Sequence, residues 1–322
     1  MDWITKSEAE TDPSYGHLPS QRPIQEYLAN GIVNVDKVSG PTSRQVADWV
    51  KNILGTTRAG HSGTLDPKVT GVFVVALDNA TKAIPTLLPS PKEYVCLMHL
   101  HENATPSELK KAFKEFQGKI YQRPPLRSAV KRLLRVREIY SLDLIEKSEK
   151  DVLFKVTCEA GFYVRKLCHD IGIVLGTGAQ MTELRRTKTA SFDESSIVTL
   201  QELSEAKYLF DTEGDDSYLR KLIIPVESTV KNIPKIVVHD SAVAALCNGS
   251  KLMAPGVIKL QKFKKGDKIV LLTLKGELIS LAVAEEDSSR ILKMQKGICA
   301  KSTRVILPEG IYPRKWKSKV EK

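Results

Sequence analysis

Apolar residues recur at helical spacing in several stretches and run together in others. Val46, Val50, Ile53 and Leu54 follow i, i+4, i+7, i+8, which predicts a helix capped by Thr42 or Ser43 and ended by Gly55. Thr105-Pro106-Ser107-Glu108 reads as a capping box with proline in the first turn. Its helix would bury Leu109, Ala112, Phe113 and Phe116 and stop at Gly118. Val164, Leu167, Cys168, Ile171, Val174 and Leu175 predict a third helix, ended by Gly176. Val72–Leu77, Tyr94–Leu100 and Val152–Cys158 read as strands. Strands and helices mix without strict alternation, so an α+β class with a mixed or antiparallel central sheet and flanking helices is expected.

The ends of the chain have a different texture. Residues 1–30 are polar, carry Pro13, Pro19 and Pro23, and read as an extended arm. Asp211–Asp216 reads as an acidic turn. After Pro234 a short helix over Ser241–Cys247, a hairpin of Lys268–Leu274 and Leu278–Ala284, and a strand over Ser302–Leu307 predict a small β-rich module. The expected division is therefore an arm at 1–30, a main domain at 31–230, the small module at 234–309 and a basic tail at 310–322.

Charge narrows the partners. A net charge of +11 on an aromatic-poor folded chain makes an acidic partner, RNA or DNA, the first expectation. Seven cations fall between Lys119 and Arg137 with almost no opposing charge, and Pro124-Pro125 makes the middle of that stretch a loop. A phosphate-contacting flap fits, with a solvated face as the plainer reading. A second basic cluster, Lys259 to Lys268, includes Lys264 and Lys265, and Arg314-Lys315-Trp316-Lys317 closes the chain. Five widely spaced cysteines form no Cys-x-x-Cys pair, which suits a reducing cytoplasm. No apolar run is long enough for a membrane span, and the acidic N-terminus does not read as a signal peptide.

The candidate chemistry lies in Gly60-His61-Ser62-Gly63-Thr64-Leu65-Asp66-Pro67. Pro67 fixes its own φ and biases Asp66 toward extended backbone, which presents a single acid between a helix and a strand. Gly55-x-x-x-x-Gly60 has Walker A spacing but offers His61 in place of lysine, and the Gly176-x-Gly178 segment lacks the third glycine of a dinucleotide fingerprint. His99 and His101 would share a strand face, yet no third ligand has a fitting spacing. His61, Ser62 and Asp66 are near neighbours in sequence, which does not make a triad. A lone carboxylate with a basic partner remains. Arg165, at a strand-to-helix junction, could keep Asp66 ionised and aimed, or the two could form an ordinary structural salt bridge.

Five blocks in this order resemble the TruB/dyskerin family of pseudouridine synthases. They are Asp36-Lys-Val-Ser-Gly-Pro-Thr-Ser43, Gly60 to Gly71, Gln122-Arg-Pro-Pro-Leu-Arg-Ser-Ala-Val-Lys131, Gly161-Phe-Tyr-Val-Arg-Lys-Leu167 and Leu184-Arg-Arg-Thr187. Lys68-Val69-Thr70-Gly71 is nearer to dyskerin and its archaeal homologue than to bacterial TruB, the lysine-rich extensions of the eukaryotic form are not seen, and Pro234 to Pro308 is similar to a PUA domain, a β-barrel-like RNA-binding module. The departures are Val38 for a usual proline, His99-Leu-His-Glu-Asn, Gln180 for a usual histidine and Ala190 for a usual glycine.

The resemblance implies an isomerase that turns a uridine within RNA into pseudouridine, without metal, nucleotide or redox cofactor. It implies tRNA (T-loop) or rRNA as substrate, the latter with a box H/ACA guide RNA and small accessory proteins. It implies Asp66 as the catalytic carboxylate, acting on the sugar as nucleophile or on its proton as base. Tyr94 would stack on the flipped base and help remove the C5 proton, Arg165 would pair with Asp66, His61 would help hold the flipped RNA, and Leu184 and Tyr163 would line the pocket. Arg127, Lys131 and Arg132 of the loop, with Lys264 and Lys265, would contact RNA, and the arm would pack on the PUA module. A non-catalytic RNA scaffold is the alternative, and it predicts salt-dependent RNA binding with no product.

Overall fold

A computed structural model describes residues 2–124, 131 and 133–314. Two sheets organise it. The larger runs in the order Ile223–Pro225, Gly31–Lys37, Thr70–Leu77, Ala179–Thr189, Lys92–Leu100, Asp151–Cys158, Arg135–Ser148 and Gly118–Gln122. Ala59–His61 pairs along part of Thr70–Leu77, and Phe192–Asp193 along part of Ala179–Thr189. The strands pair antiparallel except where Thr70 and Gly71 meet Arg185 and Arg186. Helices flank this sheet, so the class is α+β.

Thr70–Leu77 is an unbroken apolar run because both of its faces are covered. Phe73, Val75 and Leu77 pack with Val46, Val50 and Leu54 of the Ser43–Leu54 helix. Val72, Val74 and Ala76 share a core with Val237, Val270, Leu272 and Leu278 of the second sheet and with Ile306 just after its Ile298–Val305 strand. The helix Val164–Leu175 lays Leu167, Cys168 and Ile171 against Cys96, Phe154 and Val156.

The second sheet runs Ile4–Thr5, Val257–Leu260, Lys235–Val238, Lys268–Leu272, Leu278–Ala284, Ile298–Val305 and Leu252–Met253. Its N-terminal edge strand comes from the other end of the chain. Thr11 Oγ1 and the Asp12 amide donate to Asp240, and Lys275 Nζ donates to the carbonyls of Pro13 and Gly16.

Several sequence expectations change. Residues 24–29 are not arm: Pro23 opens a helix, Ile24–Ala29, whose Tyr27 and Leu28 are buried. The first half of the acidic segment is helical, because the Leu200–Glu213 helix runs through Glu213, and the chain turns only over residues 214–216. The last strand is Ile298–Val305, earlier than expected, and His101 lies beyond the end of the Lys92–Leu100 strand. Lys119 and Arg137 belong to paired strands, so the basic segment begins and ends as strand, while residues 125–130 and 132 of its middle lie outside the described residues. Arg127 and Arg132 lie outside the described residues, as do Lys315, Trp316 and Lys317.

Candidate active site

Asp66 follows the Ser43–Leu54 helix and the short Ala59–His61 strand, and precedes Thr70–Leu77. Two buried side chains fix the loop on either side of it. Ser43 Oγ accepts from the Leu65 amide at 2.8 Å and donates to the Leu65 carbonyl at 2.9 Å. Lys37 is wholly buried, and its Nζ donates to the carbonyls of Val38, Pro67 and Val69 at 2.9–3.0 Å. Burial pushes its ammonium pKa down, and the charge of Asp66 opposes that shift. The Val69 amide closes the turn on the Asp66 carbonyl. Residues 65–69 are thus pinned while the Asp66 side chain stays exposed.

Arg165 forms an ion pair with Asp66. It occupies the second position of the Val164–Leu175 helix, where a cation opposes the helix dipole. Helix stability therefore does not explain an arginine there, and its carboxylate partner does. Just before that helix, the Tyr163 amide donates to Gln122 Oε1 at 3.0 Å and Gln122 Nε2 donates to the Tyr163 carbonyl at 3.1 Å. The Gly118–Gln122 strand of the basic segment is thereby tied to the segment that carries Arg165.

Tyr94 and Leu184 stand on neighbouring strands and pack against both cores that flank the site. Burial raises the Tyr94 phenol pKa, Arg186 pulls it down, and Asp66 and the Cys158 thiol push it up. His61 stacks on Phe73 with ring centroids 5.2 Å apart. Burial first, and Arg186 second, lower the His61 pKa, so the ring is neutral at pH 7. The structure thus brings Asp66 and Arg165 into contact and places Tyr94, Leu184, Tyr163 and His61 on the strands and helix start around them. Lys131, Lys264 and Lys265 are exposed. They lie apart in the chain, Lys131 between the Gly118–Gln122 and Arg135–Ser148 strands and Lys264 and Lys265 in the C-terminal module.

Sequence reasoning missed Lys37, Ser43 and Arg186. The first two lie in the Asp36–Ser43 block and the third in Leu184–Thr187, but their bonds reach residues 22 to 114 positions away. His99 bonds Asp151 at 2.7 Å. Among the described residues no three histidine, cysteine or carboxylate side chains are grouped to hold a metal, and no helix is long and apolar enough to cross a membrane.

The fold and this site define an RNA-modifying isomerase. Models of the TruB family pseudouridylate synthase N-terminal domain and the tRNA pseudouridylate synthase B C-terminal domain match residues 51–164 and 165–231. A PUA domain matches 234–306 and a DKCLD domain 1–47. The chain belongs to the TruB family of pseudouridine synthases, in its dyskerin-like branch. It is 51% identical to "Probable tRNA pseudouridine synthase B" of Methanosarcina barkeri, over 98% of this chain and 94% of that one. It is 46% identical to a chain in a crystal structure of a Cbf5-Nop10-Gar1 complex, with TM-score 0.90 over 97% of this chain and 96% of that chain. A chain of an H/ACA ribonucleoprotein bound to a substrate RNA containing 2′-deoxyuridine is 43% identical, with TM-score 0.91 over 98% and 97%.

Proposed function

We propose that this isomerase modifies uridine in tRNA, and in rRNA as the catalytic subunit of a box H/ACA guide ribonucleoprotein, with Asp66 as its catalytic carboxylate. The observation that carries the reading is the Asp66–Arg165 ion pair, formed between two blocks 99 residues apart and held by buried ties on the Asp66 side. The relatives' names support tRNA, and the Cbf5 complexes support guide RNA and small accessory proteins as partners.

In this reading the uridine is flipped out of its stack onto Tyr94. Leu184 and Tyr163 wall the pocket, and His61, neutral, helps hold the flipped RNA. Asp66 acts on the ribose, as nucleophile at C1′ or as base toward a sugar proton, while the N1–C1′ bond breaks. The uracil turns and C5 bonds to C1′. One carboxylate serves because uracil is never released, unlike the two that a glycoside hydrolase needs. Lys131, with Arg127 and Arg132, would contact RNA from the basic segment 119–137, and Lys264 and Lys265 from the 234–309 module. The arm, the 31–230 domain, that module and the 310–322 tail are its proposed functional divisions. Five free, buried thiols fit a cytoplasmic location.

Pseudouridine mapping on unmodified tRNA and rRNA transcripts, with and without guide RNA, tests the reading. Product from the wild type and none from Asp66→Asn is expected. RNA binding without product in any arm would return the chain to a scaffold.

A further inference from the structure

One buried cation is left over by the site as described. Arg186 heads the fully buried side chains, at 1% exposure, and among the described residues no carboxylate pairs with it. A guanidinium stays charged in proteins, and burying such a charge without a counter-charge is strongly unfavourable. Its surroundings ask for less. The Thr70–Leu77 and Ala179–Thr189 strands pair only at Thr70–Gly71 with Arg185–Arg186 and then part. In the notch, the Val74 carbonyl accepts from the Ser62 amide, and the Val72 carbonyl accepts from Arg186 Nε at 2.7 Å. Gly71 makes room, since a Cβ there would lie 2.3 Å from the Arg186 carbonyl. Nε alone fills that structural need, while Nη2 is buried with no hydrogen-bond partner.

The rest of the guanidinium faces Tyr94, its opposite neighbour in the strand register. Its charge also reaches His61 and Lys92, and disfavours a proton on each. Of these three groups, Tyr94 is the one whose deprotonated form is an anion that a nearby cation stabilises.

We propose that Arg186 is a positioning residue for the isomerisation, holding the Tyr94 oxygen as the base that takes the C5 proton after C5 has bonded to C1′. The inference rests on the proposed function, in which the flipped uridine lies on Tyr94, and takes from the family resemblance that Tyr94 helps remove the C5 proton; the role of Arg186 is what it adds. In that step the C5–H bond breaks and its electron pair forms the C5=C6 double bond. The C6=N1 bond opens and N1 takes a proton from water, while the C5 proton leaves on the Tyr94 oxygen. Arg186 offsets the phenolate before transfer. Burial, the largest influence on Tyr94, opposes its ionisation, as do the other charged or titratable groups acting on it, Asp66 and the Cys158 thiol; Arg186 is the group that works against them.

The test places 3-fluorotyrosine at position 94 of the full chain and follows its ionisation by fluorine NMR, with Arg186 intact and as Arg186→Met. The midpoint should rise by about one pH unit or more when the charge is removed. Single-turnover rates on an unmodified tRNA transcript should fall at least tenfold at pH 7.5 and recover as pH rises, with RNA affinity within threefold. A cavity or fold defect would not be rescued by alkali. An unmoved midpoint, or a pH-independent loss of rate, overturns the inference. The second variant, Arg186→Lys, keeps the charge and should hold the midpoint near that of the parent. A wild type inactive on every RNA would sink the functional reading, while the titration still decides whether Arg186 governs Tyr94.

Discussion

Asp66 and Arg165 form an ion pair while each side chain remains more than half exposed, at 55% and 54%. Solvent screens such a pair, so it contributes about 0–1 kcal/mol to folding. The cost of removing either partner should therefore appear in chemistry. Asp66→Asn should abolish pseudouridine formation, and Arg165→Ala should slow it at least a hundredfold. Both should shift the free energy of urea unfolding by less than about 1 kcal/mol. A large fall in unfolding free energy for either variant would make the pair structural.

Lys37 has the opposite character. Its ammonium is wholly buried and donates to three carbonyls, two of them in the Asp66 loop. Lys37→Met removes a costly buried charge but takes this donor from the Val38 and Val69 carbonyls, while Pro67 keeps the Gly40 amide, for a net loss of about 1–3 kcal/mol. The loss should be local. The Val69 amide, bonded to the Asp66 carbonyl, should exchange much faster with solvent deuterium, and activity should drop with it. Wild-type protection at Val69 in the variant would show that Ser43 alone holds the loop.

The local signals in the sequence were strong because they act within one turn. Thr42 with Gln45 and Thr105 with Glu108 form capping boxes, and Gly55 and Gly176 take left-handed caps. The Asp66 loop was legible for the same reason, since its glycines and proline act on their own backbone. Ala179–Thr189 was not. It runs through the middle of the larger sheet, yet its Glu183, Arg185, Arg186 and Lys188 mask any apolar alternation. Arg186 carries meaning only through Val72 and Tyr94, far away in the chain. Thr199-Leu-Gln-Glu202 is a third capping box, and it goes unnoticed because the helix it starts has only a weak apolar stripe.

Lys92 predicts a pH dependence. Its Nζ donates to the carbonyls of Leu88 and Ser90, both at 2.6 Å. Burial, with Arg186 adding to it, holds its pKa down at about 8 against an ordinary 10.5. Between those values the unfolded chain binds a proton that the folded chain does not. The Lys92 contribution to stability therefore rises with pH across that window, and its burial cost is full below pH 8. The buried thiols Cys96, Cys158, Cys247 and Cys299 have raised pKa values and act in the opposite sense above about pH 9. The effect is thus a difference: urea unfolding at pH 7.5, 8.5 and 9.5 should show a steeper rise, or a shallower fall, for the wild type than for Lys92→Met. Parallel curves would mean that the carbonyls keep the ammonium charged.

The basic surfaces predict how RNA binding responds to salt. Lys131 is exposed, between the strands Gly118–Gln122 and Arg135–Ser148, and Gln122 ties the first of them to Tyr163 beside Arg165. Lys264 and Lys265 are exposed on a turn whose amides donate to Asp267 and Asp287, at 2.8 Å each. Those nearby acids are thereby engaged by backbone rather than by the lysine side chains alone. Each phosphate contact contributes about 0.7–0.9 to the slope of log affinity against log salt. Replacing Arg127 and Lys131 together by glutamine should flatten that slope by about 1–2, and Lys264 with Lys265 likewise. Lys207, paired with Asp211 on the Leu200–Glu213 helix, is the control whose replacement by glutamine should leave the slope alone. Filter binding of a tRNA transcript from 50 to 300 mM salt measures it. If the Arg127 and Lys131 variant keeps the parent slope while the Lys264 and Lys265 variant loses it, RNA is held by the 234–309 module alone. The cations of the 119–137 segment would then be a solvated face.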